Sequence, residues 1–178
     1  MALYDDLRQA YANWSDEDSE YHTQSAKYAH RFADGFREYL GAPLEYLAND
    51  RRTKEPYVEL CKIVKDAAGE DRLESANIYE ALTREDDGYF SFGIRLVLER
   101  APNTFPKSRF GFHSRFMPKE NKCELRIAGK TFDLDMSDDG ARISAYEKMK
   151  ENLLRWLVSK PWDVDQKDPI GFIHHTPE

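Results

Sequence analysis

Apolar residues recur with a helical period over the first forty positions of the chain. The first of them are four, four and three positions apart: Leu3, Leu7, Tyr11 and Trp14. This spacing predicts one face of a short helix. Ser15 is a residue type that caps helices, and it predicts a second helix over 16–40, ended by Gly41. The apolar stripe of that helix is largely aromatic: Tyr21, Tyr28, Phe32, Phe36 and Tyr39 or Leu40. One further helical turn is predicted over 43–49.

An alternation of apolar with other residues replaces the helical pattern in the middle of the chain. It is clearest where five apolar residues stand at every second position: Phe90, Phe92, Ile94, Leu96 and Leu98. This period is typical of a β-strand. Further strands are predicted over these ranges: 57–65, 75–82, 110–116, 123–127 and 132–134. A compact turn at 128–130 joins the last two strands into a hairpin.

The helical period returns after the last predicted strand. Asp135 or Ser137 is the predicted N-cap, and Pro161 ends the helix. Its apolar stripe has five members: Ile143, Tyr146, Met149, Leu153 and Leu157. Residues 161–178 have no clear period and predict an irregular tail.

These elements predict one α+β domain over residues 1–178. Its parts are helical at 1–49, sheet at 56–135, helix at 137–160 and tail at 161–178. We expect an antiparallel sheet of about five or six strands with the N-terminal and C-terminal helices packed on one face. The phenylalanines that alternate onto one side of the strands should lie beneath those helices: Phe90, Phe92, Phe110, Phe112 and Phe116.

Length and composition agree with a domain that builds its own core. The chain has 178 residues, of which 40% are hydrophobic, so it needs no disulfide or metal to fold. It contains neither a long apolar stretch nor a signal sequence, so we expect a soluble, cytoplasmic protein without a membrane contact. Cys61 and Cys123 should then be reduced thiols in the core. The pattern does not specify an oligomeric state.

Charge is unevenly distributed along the chain. The net charge is −7, but residues 89–132 carry nine basic and three acidic residues, a net of +6. In the predicted strands, five basic residues project from the side opposite the phenylalanines: Arg95, Arg109, His113, Arg115 and Arg126. Guanidinium groups suit carboxylates and phosphates. We therefore take these five as the candidate binding residues.

Candidate catalytic chemistry is sparse. No nucleotide-binding, zinc-protease, redox or serine-hydrolase motif occurs in the sequence, so we expect no cofactor and favour a protein without catalytic activity. His30 with Asp34 is interpreted as a surface pair, and His174 with His175 as solvated side chains. An alternative is a divalent-metal site at three carboxylates of the hairpin: Glu124, Asp133 and Asp135. Their simpler interpretation is charge pairing across strands.

The resulting hypothesis is a non-catalytic macromolecule-binding protein: a small accessory, regulatory or inhibitor-type subunit that docks on a protein partner. Separated acidic and basic regions would orient such a partner. The first alternative is binding of nucleic acid or a phosphate ligand on the Arg-rich sheet face, ranked second because the aromatic rings alternate onto the other face. The second alternative is a metal-dependent enzyme. The acidic stretch 16–20 is a further candidate contact for a basic partner.

Overall fold

The computed structural model of the protein describes residues 3–159 and the backbone of residues 172–175. It contains two α-helices, α1 (Leu3–Leu40) and α2 (Ile143–Val158), and a 3₁₀ turn (Asp139–Arg142) that leads into α2. The strands, in chain order, are β1 (Glu45–Leu47), β2 (Lys54–Pro56), β3 (Val58–Lys65), β4 (Asp71–Ser75), β5 (Thr83–Arg84), β6 (Phe90–Leu98), β7 (Ser108–Lys119), β8 (Lys122–Ile127), β9 (Lys130–Asp135) and β10 (Phe172–His175). The α+β class is confirmed.

Helix α1 is a single helix of 38 residues. The break predicted at Ser15 is wrong, because a capping residue acts only where the chain arrives in a non-helical conformation. No glycine or proline occurs between residues 3 and 34 to interrupt the helix. All buried residues of α1 lie in its second half: Ser25, Ala26, Tyr28, Ala29, Phe32, Ala33 and Phe36.

The main sheet is antiparallel. Six of its strands are neighbours in the order β4-β3-β6-β7-β8-β9, and the short strands β5 and β10 add to β6 and β7. Over the described residues the sheet therefore has eight strands, more than the five or six predicted. Pairing between β6 and β7 is continuous from Phe90 opposite Phe116 to Leu98 opposite Ser108, so no bulge occurs at Gly93.

Both helices cover the same face of this sheet, as predicted. The five phenylalanines of β6 and β7 are buried there: Phe90, Phe92, Phe110, Phe112 and Phe116. Phe36 of α1 meets Phe112 edge to face at 5.9 Å between ring centroids. Phe32 of the same helix packs on Tyr146 of α2 at 4.9 Å. Aromatic side chains thus join the helices to the sheet.

Three short segments differ from the sequence prediction. Residues 45–47 form β1, paired with β2, where a helical turn was expected at 43–49. The strand expected at 75–82 lies earlier, as β4, because the Asn77 side chain accepts hydrogen bonds from the backbone of Tyr79 and Glu80 and makes a turn. Residues 172–175, placed in an irregular tail, pair with β7. The rest of that tail, residues 161–171 and 176–178, lies outside the described residues.

The two ends of the β8–β9 hairpin show how local residues set the geometry. Ala128 and Gly129 both have positive φ, 53° and 75°, as a tight two-residue turn between antiparallel strands requires. After β9, Asp138 is the N-cap of the 3₁₀ turn and accepts from the Gly140 amide. Helix α2 itself begins at Ile143, later than the predicted 137, and its N-cap is Arg142 rather than Asp135 or Ser137. The Asp135 carboxylate instead accepts from the Ser137 amide at 2.8 Å.

The β3–β4 hairpin bends across the second face of the sheet. Strand β3 pairs with β6 only through residue 61, and its remainder pairs with β4 alone. Leu73 of β4 then packs over Gly93 in the middle of β6, and Asp71 reaches His113 on β7. A separate apolar cluster of Tyr46, Tyr57 and Val97 lies on this same face. Among the described residues, no helix has the length and apolar content that crossing a bilayer requires.

Candidate functional site

The five predicted binding residues lie together on the sheet face opposite the core, which we call the basic face. The strand register places them there: in the β6–β7 pairing, Arg95 stands opposite Gly111, His113 opposite Gly93 and Arg115 opposite Ser91. Arg126 of β8 is the neighbour of Arg115. The basic side chains and the phenylalanines therefore lie on opposite faces of the sheet.

Arg95 and His113 are tied to the β3–β4 hairpin. Arg95 forms an ion pair with Glu59 and donates a 2.7 Å hydrogen bond to the Ser75 hydroxyl. The His113 Nδ1 lies 3.1 Å from a carboxylate oxygen of Asp71. Burial opposes ionisation of Asp71, but Lys65 and His113 together hold the pKa of its carboxyl below the ordinary value.

Arg115 and Arg126 enclose an aromatic ring. The Tyr89 ring centroid is 4.9 Å from the Arg115 guanidinium carbon and 4.5 Å from that of Arg126. Arg126 donates to the Tyr89 hydroxyl at 2.6 Å, and this hydroxyl donates to Glu124 at 2.5 Å. Hydrogen bonds from Tyr89 and Arg126 lower the pKa of the Glu124 carboxyl. Arg115 also pairs with Asp87 at 2.7 Å. The Tyr89 ring and the carboxylates of Glu124 and Asp87 thus stabilise the two neighbouring guanidinium groups.

Arg109 lies at the opposite end of the basic face, beside the β1–β2 hairpin. Its guanidinium donates to Glu55 at 3.3 Å. The Tyr46 hydroxyl donates to the same Glu55 oxygen at 2.5 Å. Arg109 therefore links strand β7 to the small second sheet.

Each of the five basic side chains has a carboxylate partner. The acids come from several elements: Glu55, Glu59, Asp71, Glu85, Asp87 and Glu124. Most of these pairings could not be predicted from the sequence, because the acids are distant along the chain. Their presence neutralises the face and disfavours phosphate binding, which depends on uncompensated positive charge.

Two of the three carboxylates considered for a metal site, Glu124 and Asp135, are already hydrogen-bonded. Glu124 and Asp133 are cross-strand neighbours, but Glu124 is bonded to Tyr89 and Arg126. Asp135 is bonded to Ser137. Within residues 3–159, no three His, Cys, Asp or Glu side chains are grouped closely enough to hold a metal ion.

The cysteines and His30, the other residues considered for chemistry, have one or a few polar neighbours. Cys61 and Cys123 are buried and unbonded to each other, and burial raises the pKa of the two thiols to about 12 and about 11. His30 lies 3.4 Å from Asp34 on the exposed side of α1, as predicted. The side chains of His174 and His175 lie outside the described residues.

A pocket of about 470 Å³ lies between α1 and the start of α2. Its acids already have basic neighbours: Asp34 with His30, Glu38 with Arg37 and Asp139 with Arg142. Mixed, paired charges give the pocket no preference for one class of ligand.

The N-terminal half of α1 bears an apolar stripe for which the sequence predicts a helix face but no partner. Residues 3–20, which we call the arm, are almost entirely exposed. Four apolar side chains form one stripe along it and are 59–78% exposed: Leu3, Leu7, Tyr11 and Trp14. An ion pair between Asp18 and Arg84 ties the base of the arm to β5. The helical stripe was recognised in the sequence, but a stripe alone does not tell whether its partner lies within the same chain.

No family model, curated protein or solved structure matches the chain.

Proposed function

We propose that this protein is a non-catalytic accessory subunit that docks on a protein partner through its arm. The observation that carries the proposal is the apolar stripe of the arm, whose side chains stay 59–78% exposed and of which Tyr11 and Trp14 pack on each other. Exposed Leu, Tyr and Trp side chains in one row mark interaction sites on soluble proteins. A helix that lays such a row into a groove is a common mode of peptide recognition.

Helix energetics support the same role. A helical segment of about 15 residues is marginally stable in water without tertiary packing. The arm has this length, and all of its residues except the half-buried Ser15 and Asp18 are exposed. A groove that covers Leu7 and Trp14 would supply the missing burial, and large aromatic anchors such as Trp14 contribute most at interfaces.

Charge specifies the surface of the partner. The arm carries six acidic residues and one arginine, a net charge of −5. Two arms side by side would repel one another, whereas a groove bordered by Lys and Arg would attract the arm and orient it. The proposed partner is therefore a different protein with an apolar groove and a basic rim.

The test is a comparison of two charge-altered proteins. The arm variant combines Leu7→Glu with Trp14→Glu. The control combines Arg109→Glu with Arg115→Glu on the basic face. A protein co-purified with the wild type is itself purified and titrated with all three. We expect the arm variant to bind it at least about tenfold more weakly, as loss of an aromatic anchor implies, and the control to retain binding.

Two results would overturn the proposal. If the basic-face variant loses binding while the arm variant retains it, the docking surface is the basic face. If sedimentation of the wild type alone shows a dimer that the arm variant abolishes, a second copy of the chain occupies the arm.

A further inference from the structure

The ammonium group of Lys107 lies in an aromatic cage beside the β1–β2 hairpin. Its Nζ is 4.7 Å from the ring centroid of Tyr46, 4.9 Å from that of Phe105 and 5.7 Å from that of Tyr57. The side chain of Lys107 is only 6% exposed. Lysine ammonium groups are strongly hydrated and are seldom buried without dedicated partners.

A carboxylate completes the cage. Glu99 forms an ion pair with Lys107 and accepts a 2.8 Å hydrogen bond from the Tyr57 hydroxyl. Burial opposes ionisation of Glu99, but Lys107 and Tyr57 hold the pKa of its carboxyl below the ordinary value. Burial raises the pKa of Tyr57 to about 12. At neutral pH the walls are thus three neutral rings and one negative charge.

This combination of walls matches one class of ligand. Ring faces attract cations through their quadrupoles, and cages of rings recognise quaternary ammonium and methylated lysine groups. A methylated ammonium has few or no N–H donors, so it loses little by leaving water for ring faces. The Glu99 carboxylate adds charge complementarity.

The position of the cage allows a ligand other than Lys107 to enter. Phe105 is 47% exposed, so one wall stands at the surface. Lys107 and Phe105 both belong to the loop between β6 and β7, whose residues 100–106 are largely exposed. Tyr46 and Tyr57 belong to a cluster separate from the main core. Withdrawal of the Lys107 side chain alone would vacate the cage and leave its three rings in place.

We propose that this cage is a recognition site for a methylated ammonium group and that Lys107 occupies it as an internal competitor. A tethered competitor acts at an effective concentration in the millimolar range. An external ligand must displace it, so the wild type should bind such ligands weakly. The proposal concerns a surface distinct from the arm and does not depend on docking there.

The experiment removes the competitor and supplies a simple ligand. Three proteins are titrated with tetramethylammonium chloride and followed by NMR: Lys107→Ala, the wild type and the control Lys119→Ala. The control removes an exposed lysine at the far end of β7 from the cage. We expect Lys107→Ala to bind at least about tenfold more tightly than the other two, in line with several cation–π contacts. Adding Tyr46→Leu to Lys107→Ala should abolish binding.

Further titrations define the ligand and the opposing outcomes. Acetyl-trimethyllysine amide and choline are compared to see whether a protein side chain or a small amine fits better. Equal binding by all three proteins, or binding that survives Tyr46→Leu, would overturn the proposal. If Lys107→Ala does not fold, it is refolded in tetramethylammonium chloride and in sodium chloride at equal ionic strength. Recovery only in the former supports the cage, and failure in both overturns it.

Discussion

Gly93 stands at the centre of the sheet, where its lack of a side chain makes room for a neighbour. Leu73 from the bent β3–β4 hairpin fills that space, and a Cβ at position 93 would overlap the Leu73 side chain. Leu73 is itself buried, so it has little freedom to move aside. Gly93 therefore determines how closely the hairpin can lie on the sheet.

We expect Gly93→Ala to lower the free energy of unfolding by about 1–3 kcal/mol, the usual effect of an overpacked core. Urea denaturation measures this change. In a Leu73→Ala background the same substitution should be milder, because the overlapping group is gone. Equal losses in both backgrounds would contradict the packing described for Leu73.

Phe112 lies on the opposite face of the sheet from Leu73, the face that the helices cover. It is fully buried beneath α1, so Phe112→Ala should lower the free energy of unfolding by about 3–5 kcal/mol. Tyr79→Ala, at a half-exposed ring in a turn, should change it by less than about 0.5 kcal/mol. Similar losses in the two variants, measured by denaturation, would be inconsistent with the assigned layers.

At the scale of elements, helix α1 divides into a packed half and an unpacked half. Leu7→Glu with Trp14→Glu should leave the free energy of unfolding within about 0.5 kcal/mol of the wild type, since neither side chain packs on the domain and glutamate favours helix. Phe32→Ala in the packed half serves as the comparison and should cost about 3–5 kcal/mol. A large loss in the arm variant would mean that the arm has a partner within the chain.

The sequence predicted those elements whose pattern is local. The alternation from Phe90 to Leu98 identified β6, and the hairpin of β8 and β9 followed from its turn. The bend of the β3–β4 hairpin was not predictable, because it depends on Leu73 meeting a glycine twenty residues away. Strand β1 was mistaken for a helical turn, since a three-residue strand gives almost no periodic signal.

Candidate site residues were predicted less well than the fold. The side of the sheet that bears Arg95 and Arg115 followed from period-two alternation. Their ion pairs with Glu59 and Asp87 did not follow from this alternation, because they depend on how the elements pack in the tertiary structure. The cage around Lys107 combines side chains as far apart in the chain as Tyr46 and Lys107 and therefore leaves no local motif.

For the whole molecule, many paired carboxylates make stability depend on pH. The pKa values of Asp71, Asp87, Glu99 and Glu124 are all lowered in the folded protein. Their ordinary values are about 3.9 for Asp and about 4.3 for Glu. A lowered folded-state pKa contributes stability that is complete above the unfolded value and is lost as the pH falls through the folded one.

We therefore expect the urea midpoint to be nearly constant from about pH 7 to about pH 5 and to fall steadily below about pH 4. In Glu99→Gln the midpoint should be lower at neutral pH and its decline in acid shallower, because one of the linked carboxylates is absent. A midpoint that holds or rises down to about pH 3 would contradict the ion-paired basic face.

The continuity of α1 has a consequence for geometry. Each helical residue advances about 1.5 Å and turns about 100°, so the arm extends about 27 Å from its base. Because the helix is continuous, the apolar stripe always faces the same direction relative to the sheet. A partner gripping Leu7 and Trp14 would therefore also dictate which side of the sheet faces it. One alanine inserted at the base of the arm would rotate the rest of the protein by about 100° around the helix axis relative to the bound partner. Seven inserted alanines would return it to within about 20° of its original orientation and would only increase its distance from the partner.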